Sequence, residues 1–225
     1  MTTALYLQYC KAFTEIEKKF APNELFWEGD FSLLTSGIRV SVVGSRKVSP
    51  EGEIRTKILT ETLISEGIII VSGLAEGVDT IAHKTAVNNN GKTIAVLGTP
   101  LDKVYPSKNK DLLELIKKKH LAISQFPQGY PFQKANFPIR NRTMALISDA
   151  TIIIEASEKS GTRHQGWEAL RLGRTVFLME NIVKNPTLSW PKKMLMYGAQ
   201  ILTRENIVES INEIPHLTLR EDYAI

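Results

Sequence analysis

The chain has 225 residues, which is enough for one large domain or for one domain with a small addition. Hydrophobic residues make up 43% and charged residues 23%, so the composition is that of an ordinary globular protein with an adequate apolar core. The net charge of +4 is compatible with a nucleic-acid ligand but does not establish one.

Several classes of protein are excluded by what the sequence lacks. Cys10 is the single cysteine, so no internal disulfide is possible, and we expect this residue to pack in a helix. The four histidines are scattered and no CxxC or HExxH spacing occurs, so we predict no metal site. No stretch reaches the roughly 18 apolar residues that a membrane span needs. The charged N-terminus is unlike a signal peptide, and we expect a cytoplasmic protein with no membrane partner.

The first part of the chain is predicted to be an extension and not a separate domain. Residues 2–20 have the pattern of a helix, and residues 21–34 that of an edge segment leading into a sheet. We assign the extension to residues 1–38, a main domain to residues 39–212 and a loosely packed tail to residues 213–225.

From residue 39 onward, short apolar strands alternate with helical patterns. The strands are nearly continuous in hydrophobicity, as expected for strands buried on both faces of a parallel sheet. Strands are predicted at 39–43, 68–71, 93–97, 151–154, 175–178 and 200–202. Helices are predicted at 50–66, 78–88, 110–118, 139–147, 164–172, 191–197 and 204–211. This alternation predicts an α/β fold with a doubly wound, mostly parallel sheet and helices on both faces.

Three loops at the ends of these strands have the small residues that suit an anion. In an open α/β sheet, ligands bind beyond the carboxyl ends of the strands. Glycine and serine at a strand-to-helix turn allow backbone N–H groups to face an anion. We therefore expect the following loop residues to converge on one groove: Gly44, Ser45 and Arg46; Ser72 and Gly73; and Ser160, Gly161 and Thr162. For Arg46 the alternative is an ordinary turn with an exposed arginine.

The second of these loops does not indicate a nucleotide cofactor. Residues 72–79 contain neither the GxGxxG dinucleotide pattern nor the lysine of a P-loop. We therefore predict no cofactor. Asp79 and His83 follow at a spacing of one helical turn and are expected to pair or to cap the helix.

The most informative stretch of the sequence runs from residue 137 to residue 142. It contains Phe137, Arg140, Asn141 and Arg142. Arginine presents a planar fork of donors that matches phosphate oxygens, and an aromatic face can stack on any base. The stretch therefore predicts contacts with a phosphate-bearing strand. The alternative is an exposed helix start with two solvated arginines.

The segment just before this stretch interleaves aromatic residues with a further cation. Lys134 is expected to contact phosphate beside the groove. We expect Phe126 and Phe132 to pack beneath a long loop and Phe137 to stay accessible.

With these motifs in place, the chain resembles the DNA-processing protein DprA (Smf) family. The matching motifs follow the family's order and include LFWEGD at 25–30, VGSR at 43–46, VSGLAEGVD at 71–79, TIAVLG at 93–98 and FPIRNR at 137–142. The resemblance implies an extended Rossmann-like fold and a non-enzymatic protein that binds single-stranded DNA. It also implies a homodimer that protects DNA during natural transformation or recombination and assists a RecA-type recombinase. By position, the strand-contacting residues would be Arg46, Lys134, Phe137, Arg140 and Arg142.

Three departures from the family pattern predict a divergent member. Residues 162–168 replace the usual small-residue run, and residues 178–181 replace the usual Val-Pro-Gly. We also expect no C-terminal winged-helix domain, since only about twenty residues follow the last predicted strand.

Two alternative functions stay open from the sequence. Gly161 and Thr162 with Glu168 are similar to the glycine-rich loop and helix glutamate of the cytokinin-activating phosphoribohydrolases. That resemblance implies a nucleotide hydrolase or sensor in which Glu168 polarises a ribose or water and Arg46 or Arg142 holds phosphate. The full PGGxGT string of those enzymes is absent. The other alternative is an interaction scaffold that dimerises through an edge strand.

Overall fold

The computed structural model describes residues 2–5 and 14–216. Within these ranges there are nine strands: β1 (Thr2–Leu5), β2 (Glu24–Gly29), β3 (Arg39–Val43), β4 (Ile69–Ser72), β5 (Thr93–Leu97), β6 (Leu121–Ser124), β7 (Ala150–Ile153), β8 (Thr175–Met179) and β9 (Gln200–Leu202). They form one sheet in the order β1-β2-β6-β5-β4-β3-β7-β8-β9.

The helices of the described ranges alternate with the strands. They are α1 (Glu15–Phe20), α2 (Ser32–Thr35), α3 (Pro50–Ser65), α4 (Val78–Asn88), α5 (Lys110–Lys119), α6 (Asn136–Ile147), α7 (Thr162–Arg171), α8 (Glu180–Val183), α9 (Trp190–Met196) and α10 (Ile207–Asn212). A short 3₁₀ turn, Ser107–Asn109, precedes α5.

The sheet is parallel from β6 to β9, and its strand order reverses at β3. Strands β4, β5 and β6 lie on one side of β3, and β7, β8 and β9 lie on the other. Strand β2 is added antiparallel to β6, and β1 antiparallel to β2. The predicted doubly wound, mostly parallel α/β fold is therefore confirmed. In such a sheet the ligand crevice opens at the point of reversal, beyond the carboxyl ends of β3 and β7.

The two faces of the sheet bury separate apolar layers. On one face Val40 and Ile70 pack with Leu59 of α3 and Ala82 of α4. On the other face the strands pack against α6, α7 and α9, with Met144 among the buried contacts. Because successive side chains of a strand point to opposite faces, both layers draw on the same strands. This arrangement explains why the strand sequences are apolar without alternation.

The N-terminal helix predicted over residues 2–20 is wrong in its extent. Residues Thr2–Leu5 form a strand on β2, and helix α1 begins only at Glu15. Thr14 sets that start, because its hydroxyl accepts the N–H of Glu17 at 3.2 Å while the Glu17 carboxylate accepts the N–H of Thr14 at 2.6 Å. This reciprocal cap stops the helix from extending toward the N-terminus.

Strand β6 is absent from the predicted elements. Its four residues follow directly on the lysine-rich end of α5, so the sequence has no turn residues to separate the two elements. The predicted edge segment at 21–34 contains β2, which pairs with β6 through Phe26 and Ser124. The proposed limits of the extension, the main domain and the tail stay a prediction.

Parts of two predictions lie outside the described residues, namely the packing of Cys10 and the tail beyond residue 216. Among the helices of residues 14–216, none has the length and apolar character needed to cross a membrane.

His83 of α4 couples folding to pH. Its ring is completely buried, and its Nδ1 lies 2.7 Å from the hydroxyl of Thr93 instead of pairing with Asp79. Burial lowers the pKa of His83 to about 3. A histidine in the unfolded chain takes up a proton near pH ~6.5, so between these two values the unfolded state binds more protons than the folded state.

We predict that replacing His83 with Gln reduces the loss of stability on acidification. In the parent protein, the contribution of the neutral ring is fully present above the unfolded pKa and falls as the pH decreases. The loss amounts to ~1.4 kcal/mol per pH unit, or ~2 kcal/mol at pH 5. Urea unfolding of both proteins at pH 7.5, 6.0 and 5.0 measures this difference. Parallel stability curves for the two proteins would contradict the prediction.

Candidate functional site

A cavity of about 660 Å³ opens where the strand order of the sheet reverses. Its lining comes from the loops after β3, β4 and β7, from the first turns of α4 and α7, and from residues 137–144 of α6. The sequence-predicted residues that line it are Gly44, Ser45, Arg46, Phe137, Arg140, Asn141, Ser160, Gly161 and Thr162. The structure thus brings together two of the three predicted loops and the arginine-containing stretch.

Arg140 is the buried anchor of this cavity. Its Nη1 donates to the carbonyls of Gly73 and Val96, the latter at 3.0 Å, and its Nε donates to the Asn141 side chain at 3.1 Å. Burial lowers the pKa of the guanidinium, while nearby Asp79 acts against this shift. A Cβ at Gly73 would overlap the guanidinium, so only glycine allows this approach. Arg140 therefore ties α6 to the ends of β4 and β5.

Asp79 organises the loop after β4 from beneath. Its carboxylate accepts the N–H of Gly73 at 3.1 Å and the N–H of Ala75 at 3.4 Å. Burial raises the pKa of Asp79, and Arg140 with the two backbone donors acts in the opposite direction. Two N–H groups that could have faced an anion are thus turned toward the protein's own carboxylate.

The predicted anion contact of Ser72 and Gly73 is corrected by these bonds. Ser72 is fully buried, and its hydroxyl donates to the carbonyl of Val42 at 2.7 Å. The N–H of Gly73 is held by Asp79. Neither residue lines the main cavity, and their role here is to shape the loop.

Arg46, Lys47 and Lys134 have no acidic partner among the described residues. Arg46 and Lys47 line the cavity and are exposed, and Lys134 is exposed just before α6. Within residues 14–216 the ion pairs of the protein involve none of the three. Their charge is therefore free to attract an anionic ligand.

Phe137 is the centre of an aromatic cluster at the cavity rim. Its ring centroid lies 5.5 Å from that of Tyr105 and 5.9 Å from that of Phe132. The guanidinium of Arg46 lies 5.6 Å from the Phe137 centroid, a cation–π distance. A Cβ at Gly98 would come within 2.8 Å of this ring, so a glycine is needed behind it.

The predicted burial of Phe126 is confirmed, and the predicted burial of Phe132 is wrong. Phe126 is buried, with 4% of its surface exposed, but Phe132 is 48% exposed. Phe132 packs against Tyr105 at a centroid distance of 5.1 Å instead of beneath the loop. The accessible aromatic surface is therefore larger than the sequence predicts.

The loop after β7 has fewer free backbone N–H groups for an anion than the sequence predicts. The Thr162 hydroxyl donates to the carbonyl of Gly44 at 2.9 Å, which joins this loop to the loop after β3. The Ser160 N–H donates to Ser157, and the Thr162 N–H donates to the Ser160 hydroxyl. Of these loop amides, the N–H of Gly161 is the one left without a hydrogen bond to any described residue.

Arg142 does not line the cavity, contrary to the prediction. Its Nε donates to Glu168 at 3.3 Å, and its guanidinium lies 4.6 Å from the ring of Phe20. Glu168 also accepts from Arg171 at 2.9 Å. Glu168 likewise lies outside the cavity lining, so the alternative in which it polarises a ribose or water lacks the required geometry.

Several residues that line the main cavity are not among the predicted site residues. They are Lys47, Ala75, Asp79, Met144, Ser157, His164 and Gln165. Lys47 and His164 lie within two positions of the predicted residues Arg46 and Thr162, so slightly longer motifs include them. The contact of Asp79 with the loop depends on a fold that brings Gly73 and Ala75 over its carboxylate.

The fold and the site define a Rossmann-like α/β protein with a cationic, aromatic ligand cavity at the switch point of its sheet. The model of the family described as DNA recombination-mediator protein A matches residues 1–212. The chain belongs to this family.

Curated relatives extend beyond the region they share with this chain. The DNA processing protein DprA of Bacillus subtilis is 34% identical over 193 residues, covering 85% of this chain and 65% of the relative. The DNA processing protein DprA of Streptococcus pneumoniae is 38% identical over 183 residues, covering 81% of this chain and 64% of the relative. The chain thus spans less than two thirds of the length of these relatives.

Solved structures agree with the family assignment. DprA from Streptococcus pneumoniae superposes with a TM-score of 0.82 at 34% identity, covering 96% of this chain and 75% of the other. DNA processing protein A from Helicobacter pylori, whose structure is described for its single-stranded DNA binding mode, has a TM-score of 0.76 at 26% identity and covers 94% of both chains. A molybdenum cofactor binding protein from Rippkaea orientalis, at 20% identity and a TM-score of 0.58, shares the fold alone.

We predict that the two arginines of the motif differ sharply in their effect on stability. Replacing Arg140 with Met leaves buried carbonyls and Asp79 without their donor or counter-charge, and is expected to cost ~3–5 kcal/mol. Replacing Arg142 with Gln breaks a partly exposed pair and is expected to cost less than ~1 kcal/mol. Urea unfolding of both variants at one pH measures the difference, and equal losses would refute the structural role of Arg140.

Proposed function

We propose that the protein binds single-stranded DNA in the cavity at the switch point and catalyses no reaction on it. The observation that carries this proposal is the placement of unpaired cations beside a half-buried aromatic ring. Arg46 and Lys47 lie at the cavity with no acidic partner in the described residues, and Phe137 stands next to Arg46. Phosphates and bases alternate along a single strand, so such a surface matches both parts of the ligand.

In the proposed complex, phosphates lie along the exposed cations. Arg46 presents a bidentate fork, and Lys47 and Lys134 add point charges on either side. The free N–H of Gly161, at the start of α7, adds a backbone donor where the helix dipole favours an anion. Arg140 contributes a fixed buried charge behind them, with Asn141 beside it.

One base stacks on Phe137 in this arrangement. Stacking requires an unpaired base, because the faces of bases within a duplex are already covered by their neighbours. The exposed rings of Phe132 and Tyr105 continue the platform. This requirement favours a single strand over a duplex as the ligand.

The commitment of the cavity carboxylate to the protein's own loop supports a binding role. Asp79 is the carboxylate that lines the main cavity among residues 14–216, and it is buried and bonded to two backbone N–H groups. A general acid or base has to reach a proton of the substrate. Asp79 is instead committed to holding its own loop.

Family membership supports the wider role. We propose that the protein acts in the cytoplasm, as a homodimer, in DNA uptake during natural transformation or in recombination. There it would protect single strands and assist a RecA-type recombinase. The relatives of similar sequence are DNA processing proteins, which supports this assignment.

We predict that replacing Arg46 with Gln weakens binding to single-stranded DNA and reduces its salt dependence. Each phosphate neutralised by the protein releases counterions, so one lost contact lowers the slope of log affinity against log salt by ~0.7 for a single strand. Fluorescence anisotropy with a labelled oligonucleotide at several salt concentrations measures the slope. The same titration with duplex DNA and RNA tests the ligand class.

The matched control is Lys92→Gln. Lys92 is exposed and precedes β5, so it lies at the opposite edge of the parallel sheet from the cavity. Its removal changes the net charge equally but is expected to leave the slope unchanged. An Arg46 variant that bound as tightly as the parent at two salt concentrations would overturn the proposed site.

Substitution of Phe137 measures the contribution of stacking to DNA affinity separately from the contribution of charge. Replacing Phe137 with Ala is expected to cost ~1–3 kcal/mol of binding free energy, because base–aromatic stacking is lost. The salt slope should stay that of the parent, since no phosphate contact is removed. Phe137→Tyr keeps the ring and should bind nearly as the parent does. An unchanged affinity in the Ala variant would make Phe137 a packing residue only.

A further inference from the structure

A second, smaller cavity of about 110 Å³ adjoins the main one. It is bounded by Arg46, Ala75 and Phe137, which both cavities share, and by Gly73, Glu76, Tyr105 and Pro106. Its walls are therefore mostly aromatic and apolar, with one carboxylate. We call it the side pocket.

The rings of the side pocket are placed to hold a flat group. Tyr105 is 46% exposed, and its ring centroid lies 5.5 Å from that of Phe137. The two rings are tilted by 50° to each other, so a flat group can stack on the exposed Tyr105 ring and meet Phe137 with its edge. A group entering from the main cavity passes Arg46, the residue to which the proposed function assigns a phosphate.

Glu76 is the polar group that distinguishes this pocket from the rest of the surface. Its side chain is 45% exposed and pairs with Lys108 at 3.0 Å. An ionised carboxylate only accepts hydrogen bonds and repels phosphate, so it favours a ligand group that is neutral and carries N–H donors. The exocyclic amino group of a nucleobase meets this requirement, and acidic side chains recognise cytosine through its N4 amino group.

The loop that carries Glu76 is held on both sides. Asp79 accepts the N–H groups of Gly73 and Ala75, and the Thr80 hydroxyl donates to the carbonyl of Ala75 at 2.6 Å. The N–H of Val78 donates to the carbonyl of Ser45 at 3.2 Å. The backbone of Glu76 is thus fixed beside the loop that carries Arg46, and selective hydrogen bonding needs such a fixed position.

We propose that the side pocket takes one nucleobase of the bound strand, stacked on Tyr105 with its edge toward Phe137, and that Glu76 accepts a hydrogen bond from its exocyclic amino group. This inference rests on the proposed single-strand binding and adds a base preference to it. Cytosine presents a donor at position 4, whereas thymine presents an acceptor there, which the carboxylate repels. Cytosine is therefore favoured over thymine at one position of the strand.

The test compares the affinities of dC and dT oligomers of equal length for the parent protein and for Glu76→Gln. The ratio of dC affinity to dT affinity is expected to be roughly fivefold larger for the parent than for the variant. A factor of this size corresponds to the free energy of one hydrogen bond. Glutamine offers both a donor and an acceptor, so the variant should discriminate poorly between the two bases. Loss of a negative charge near the strand should also raise its affinity for both oligomers.

Two further variants separate the side pocket from general effects. Glu114→Gln removes another exposed carboxylate that pairs with a lysine, Lys117 at 3.2 Å on α5, and should keep the parent's dC-to-dT ratio. Tyr105→Leu should weaken binding to both oligomers, because a stacking surface is lost. A ratio that is the same in the parent and in Glu76→Gln would overturn the inference while leaving single-strand binding intact. Failure of the parent to bind either oligomer would instead overturn the proposed function.

Discussion

The buried guanidinium of Arg140 is the interaction on which the ligand cavity depends. A charge removed from water costs several kcal/mol unless its donors are satisfied and a counter-charge is near. Here the carbonyls of Gly73 and Val96 accept from it, and Asp79 supplies the negative charge. The same Asp79 gathers the N–H groups of the loop after β4. One arginine and one aspartate thereby fix the relative positions of two strand ends and a helix, so the cavity is formed before any ligand arrives.

This use of Arg140 divides the basic residues of the site into two groups. Arg140 and Arg142 are committed to contacts within the protein, the first to carbonyls and the second to Glu168 and Phe20. Arg46 and Lys47 have no acidic partner in the described part of the chain and are exposed at the cavity. Partnered cations contribute little further attraction, because their field is already neutralised nearby. The number of basic residues in a motif is therefore a poor measure of its capacity for phosphate.

The sequence predicts every strand of the parallel sheet except β6, because the signal of those strands is local. Each central strand is a short apolar run that ends in small residues, and burial on both faces needs no information from elsewhere in the chain. The cavity loops followed from that sheet, because parallel strands place their carboxyl ends at one edge. The extent of α1 was missed although Thr14 and Glu17 form a local capping box. The roles of Ser72, Gly73 and Arg142 could not be predicted in the same way. They depend on partners distant in sequence, such as Val42 for Ser72 and Glu168 for Arg142.

Phe137 connects the two cavities, and its contacts indicate how a strand could replace an internal interaction. The guanidinium groups of Arg46 and Arg140 lie 5.6 Å and 5.9 Å from its ring centroid. An exposed cation–π contact is worth ~0.5–1 kcal/mol, whereas stacking of a base on an aromatic ring is worth ~1–3 kcal/mol. In the proposed complex, exchanging the first for the second would be favourable, and Arg46 would gain a phosphate on leaving the ring. Because Arg140 is held by backbone carbonyls, it would keep its place and its contact with the ring during this exchange, so only the contact of Arg46 would change partner.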